Sequence, residues 1–95
     1  MATWLHLNTM GLYSRGFRRV ASYTCFKKLG WNETRKKFNW LVADYDCYVS
    51  ETQYLVRRIN SKGYVWDEVF DTKEAANAHM KRILANYDSH KMMKY

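Results

Sequence analysis

Between residues 53 and 87 the chain reads as one supersecondary unit, and no other stretch limits its fold so tightly. Residues 53–59 are rich in aromatic and β-branched side chains, Asn60-Ser61-Lys62-Gly63 is a turn sequence, and residues 64–70 form a second strand pattern. Asp71 follows as the expected helix cap, with Glu74 three residues later completing a capping-box pattern. Ala75, Ala76, His79, Met80, Ile83, Leu84 and Tyr87 then share one helix face, which should close over one side of the hairpin. Residues 89–95 are expected to fray.

The first half is less constrained. Residues 4–13 fit a short strand or a turn of helix ending at Gly11, and are expected to be irregular. From Ser14, as N-cap, a helix is expected. Phe17, Val20, Ala21 and Thr24 lie on one face of it, and Arg15, Arg18, Arg19 and Ser22 on the other. Gly30 breaks this element, and Asn32 can cap the next. Over 33–46 the spacing of Phe38, Leu41, Val42 and Tyr45 predicts an amphipathic helix, with Lys36, Lys37, Trp40 and Asp44 on its other side. The charge order there, basic early and Asp44 and Asp46 late, opposes the helix dipole, so a strand over 38–49 competes with the helix. The expected fold class is therefore α+β. It comprises a small antiparallel sheet, built from the C-terminal β-hairpin with room for one further strand, packed by two to three helices.

Residues 1–95 are expected to form a single domain, because the chain has no proline, no low-complexity stretch and no linker-like segment. A hydrophobic share of 47% argues against disorder. An aromatic share of 17% is high for so short a chain, so some of these rings should stay partly exposed, as they do at binding surfaces. The opening residues lack a basic, then apolar, leader pattern, and no stretch reaches the roughly 18 apolar residues of a membrane span. A cytoplasmic protein with no membrane partner is the expectation. Cys25 and Cys47 are expected to be free, buried thiols, with a disulfide between them left open.

Catalytic patterns are weak. Gly11-Leu12-Tyr13-Ser14-Arg15-Gly16 is followed by Phe17-Arg18 where a phosphate-binding loop needs Lys and then Ser or Thr, so a P-loop is excluded. His6, His79, His90, Cys25 and Cys47 show no metal-ligand spacing. His79, on an apolar helix face, reads as a packed histidine with one hydrogen bond. Asp67 and Glu68 are neighbours on a strand and point to opposite faces, so they cannot act as a carboxylate pair. No catalytic residue, metal or cofactor is expected, and a small nuclease is the least favoured function.

Binding patterns are stronger. The net charge of +7 sits entirely in residues 1–43, where eight basic residues face the single acid Glu33, while residues 44–95 are neutral. Segregation of this kind favours an anionic partner, and solubility alone is the plainer reading. Arg15, Arg18 and Arg19 would form one stripe, which Lys27, Lys28, Arg35, Lys36 and Lys37 extend around Gly30. Trp40, among lysines, suits base stacking or a protein hot spot, and equally well the edge of a core. Arg57 and Arg58 are consecutive on a strand, so one of them should face away from the helix and be free for a partner.

The run Tyr64-Val65-Trp66-Asp67-Glu68-Val69-Phe70-Asp71-Thr72-Lys73-Glu74-Ala75-Ala76-Asn77-Ala78 resembles the end of AP2-type DNA-binding domains, and integrase arm-binding domains are similar in layout. The resemblance is local, covering residues 54–84, about a third of the chain. It implies a sheet that enters the major groove, with Trp66 and one of Arg57 or Arg58 as DNA contacts. The proline-free, Lys-, Asn- and Tyr-rich chain is also similar in style to small early proteins of tailed phages. The expected function is a nucleic-acid-binding accessory or regulatory protein. The alternative is a phage-type inhibitor that docks its basic face on an acidic surface of a larger host protein.

Overall fold

The computed structural model describes residues 9–60, 62 and 64–95. Its architecture is one five-stranded antiparallel sheet with two helices, in place of the expected small sheet packed by two to three helices. The elements are α1 (Thr9–Ser14), β1 (Arg18–Asn32), β2 (Lys37–Val49), β3 (Tyr54–Ile59), β4 (Val65–Phe70), α2 (Lys73–Leu84) and β5 (Ser89–Lys94). The strand order is β4-β3-β2-β1-β5. Strands β1 to β4 form a meander, and α2 carries the chain back across one face so that β5 can pair with β1.

The helix expected from Ser14 does not form, because α1 ends there. Gly16 sits at φ 86, in the left-handed region that glycine enters without a Cβ penalty. The amide of Phe17 donates to the Leu12 carbonyl and that of Gly16 to the Tyr13 carbonyl, the paired bonds of a Schellman stop. Phe17 and Leu12 then bury together. Beyond this stop, Val20, Tyr23, Thr24 and Phe26 suit a pleated strand better than a helix. Gly30 lies inside β1 at a register shift between Lys28 and Trp31. The helix expected over 33–46 is also absent, and the competing strand takes its place as β2. Asn32 still caps, but it caps a turn: its Oδ1 accepts from the Arg35 amide at 3.0 Å.

The C-terminal unit follows the expected order of strand, turn, strand and helix. Asn60 Oδ1 accepts from the amides of Lys62 and Tyr64, while Ser61 and Gly63 of that turn lie outside the described residues. The helix cap is Thr72 and not Asp71; Thr72 Oγ1 accepts from the Ala75 amide at 3.1 Å, so the expected capping box with Glu74 is replaced. The segment expected to fray is strand β5, paired with Ala21 to Phe26 of β1.

Two cores flank the sheet. On one face Ala76 and Met80 of α2 pack on Cys25, Ala43, Tyr45, Val56 and Phe70, with Ile83, Leu84 and Tyr87 at the margin. On the other, Leu12 and Phe17 pack on Tyr48, Leu55 and Val69. Cys25 and Cys47 both face α2 and are free thiols. Their β-partners, Ala43 and Ala21, place them four residues apart along the ladder, or about 14 Å, well beyond disulfide reach. Burial pushes the Cys47 thiol up to about 11, helped by the Asp46 carboxylate. Among the described residues no helix is long and apolar enough to cross a membrane.

Candidate nucleic-acid interface

The lengths of β1 and β2 create the feature that dominates the surface. They run 15 and 13 residues, against 6 for each of the other strands. Strand β5 pairs only as far as Phe26, and β3 only as far back as Asp44. Residues 27–32 and 37–41 therefore continue as a two-stranded arm with no third strand on either side. At about 3.4 Å per residue the arm projects some 20 Å. It accounts for the elongated shape of 50 × 25 × 24 Å.

Alternation along the strands assigns the arm's two faces. Phe38 and Trp40 lie on the face shared with Tyr48, away from α2. Their partners Trp31 and Lys28 stand beside them. The Trp31 and Phe38 rings meet edge to face at 5.0 Å, and the Lys28 ammonium sits 4.4 Å from the Phe38 centroid and 5.6 Å from that of Trp40. These rings stay about half exposed: Trp31 at 49%, Phe38 at 41% and Trp40 at 50%. Isolated apolar residues on a surface are unremarkable, whereas here three aromatic rings are gathered on one projecting element.

Cations surround the rings. Lys27, Lys28, Arg35, Lys36 and Lys37 are all exposed on the arm or its turn. The acid among them is Glu33, which Lys36 meets at 3.0 Å, both side chains being about three-quarters exposed. Such a pair contributes little and opens readily. Lys36 also adopts φ 53, a conformation that Gly or Asn accepts more easily. A lysine therefore stands at the tip where backbone preference alone would place another residue.

The remaining expected site residues are elsewhere. Arg15, Arg18 and Arg19 form no helical stripe; they lie at the opposite end of β1, on the order of 40 Å from the arm's turn. Arg19 faces Asp46 at 3.9 Å and lies over the Tyr95 ring at 4.1 Å, whereas Arg18 pairs with Val49 on the opposite face. Trp40 belongs to an exposed strand and not to the polar side of a helix, and it does not edge either core. Arg57 does face away from α2, yet it is buried in an ion pair with Asp67 and is not free for a partner. Arg58 and Trp66 face α2 and stand together, the guanidinium 5.7 Å from the ring centroid. Asp67 and Glu68 point to opposite faces, as strand geometry requires, and Glu68 meets His79 Nε2 at 3.4 Å.

Trp31 and Phe38 were not among the expected site residues, since Phe38 counted toward a helical core face. The available signal was aromatic residues on both sides of a short polar turn, legible only once both flanks are read as strands. Among the described residues no group of three or more His, Cys, Asp or Glu side chains is placed to hold a metal ion. Comparison with protein-family models, curated proteins and solved structures finds no match.

Proposed function

We propose that this chain is a nucleic-acid-binding accessory protein whose β1–β2 arm takes hold of a single strand. One observation carries the reading: Trp31, Phe38 and Trp40 form a half-exposed aromatic row on a projecting ribbon that bears five cations and one acid. Unpaired bases stack on aromatic faces regardless of sequence, while Lys and Arg track the phosphates. The bases of a duplex are already stacked on one another, so the rings would gain less from it. Lys28 serves both parts of the contact, because it lies against the rings and carries the charge a phosphate needs.

Fluorescence anisotropy of a labelled mixed-sequence single strand, with its duplex in parallel, tests the proposal. Binding to the single strand should be tighter than to the duplex and should weaken steadily as salt rises, because phosphate contacts release counterions. Absence of binding to either at low salt overturns it.

A second reading draws on Leu29 and Leu41 of the arm and Val42 at its base, exposed apolar residues that base stacking does not use. They favour docking of the arm on an acidic face of a larger protein. Retention of one stoichiometric protein from a nuclease-treated lysate, with no affinity for oligonucleotides, would favour this reading over the first.

A further inference from the structure

A cavity of about 340 Å³ opens between α2 and the β3–β4 edge, on the opposite face of the sheet from the aromatic row of the arm. Its volume lies within the range of small-molecule sites. Tyr45, Trp66, Val56 and Ile83 supply apolar lining. Arg58 supplies a cation, its guanidinium carbon 5.9 Å from the Tyr45 ring centroid and 5.7 Å from that of Trp66. The Arg58 Nε is buried and lacks a hydrogen-bond partner among the described residues. Buried donors are normally paired, and an unpaired one on a charged group is costly. Glu68 also lines the cavity, but its carboxylate turns to His79 Nε2 at 3.4 Å and forms no ion pair with Arg58.

We infer that this cavity is a binding site for a small aromatic acid. The ligand's ring lies against Trp66 and Ile83, its anionic group is drawn to the Arg58 guanidinium, and a ring N–H or hydroxyl at its other end donates to Glu68. The two flanking rings restrict where the guanidinium can lie, so less side-chain freedom is lost when an anion arrives. Burial lowers the proton affinity of His79, with the neighbouring Glu68 carboxylate partly opposing. The site shares no residue with the arm, so its fate and that of the nucleic-acid reading are independent.

Three probes with one ring system test the inference by nuclear magnetic resonance on the full chain: indole-3-propionate, uncharged indole and tryptamine. Indole-3-propionate should shift the Trp66 indole and His79 ring signals saturably, with indole weaker and tryptamine inert. Arg58→Gln should weaken indole-3-propionate by about tenfold or more. Equal responses to the acid and the amine, no response at millimolar acid, or undiminished affinity in the variant would each overturn it.

Discussion

The guanidinium of Arg57 grips the carboxylate of Asp67 across neighbouring strands, Nε donating at 2.6 Å and Nη2 at 2.8 Å, with both side chains buried. The pair sits at facing positions of β3 and β4, beside Tyr48. Its bidentate geometry offsets the desolvation of two charges, but either charge left alone would be stranded. Asp67→Ala should therefore cost about 3–5 kcal/mol, while Arg57→Leu combined with Asp67→Leu should recover much of that loss. Urea unfolding checks both. Near-wild-type stability of Asp67→Ala would contradict this account of the pair.

The same two residues show why the site was only partly legible in the sequence. Alternation turns one of Arg57 and Arg58 away from α2; the structure makes it Arg57, and the second core, built by Leu12 and Phe17, makes that face an interior. Distant elements therefore decided whether the cation was free. Over residues 38–45 the difficulty was the reverse. Residues 37–42 are exposed on both faces, so burial imposes no period of two there. Phe38, Leu41, Val42 and Tyr45 then fall by coincidence at helical spacing. The adverse charge order for a helix was the better guide. By contrast β3 and β4 could be read from their β-branched and aromatic content around a turn sequence, and α2 from its one apolar face at helical spacing. Strand β5 carries no such pattern, since all six of its residues are exposed.

Thr72 caps α2 by accepting from the Ala75 amide. Thr72→Ala should lower stability by about 1 kcal/mol, and Glu74→Ala, which removes no cap contact, by less. Thermal unfolding of the two variants side by side distinguishes them. The reverse order would restore the capping box centred on Asp71.

His79 makes stability depend on pH. Burial lowers its proton affinity, the Glu68 carboxylate partly opposes that, and Arg82 adds to the lowering. The unfolded chain protonates His79 near the ordinary value of 6.5, the folded chain only at lower pH. Acidification through that value therefore favours unfolding; the stability is full above it and declines as pH falls toward the folded value. The urea midpoint should drop between about pH 7.5 and about pH 5.5, and the drop should be smaller in His79→Gln. Equal drops in the two proteins would assign the effect to other groups.

Cys47 should react slowly with iodoacetamide at neutral pH, because its thiol is held up to about 11 and little thiolate is present. Unfolding in urea should raise the rate sharply. Fast labelling of the folded protein at Cys47 would show that its surroundings are open to solvent.

In the proposed complex the aromatic row of the arm, and not its charge alone, holds the single strand. Trp31, Phe38 and Trp40 are exposed enough to be replaced together by alanine without touching either core. The triple variant keeps every cation, so anisotropy titrations across a salt series separate the two contributions. The expected affinity loss is about 1–3 kcal/mol for each base that stacks, with the salt slope nearly unchanged. Undiminished affinity in a folded triple variant would contradict it.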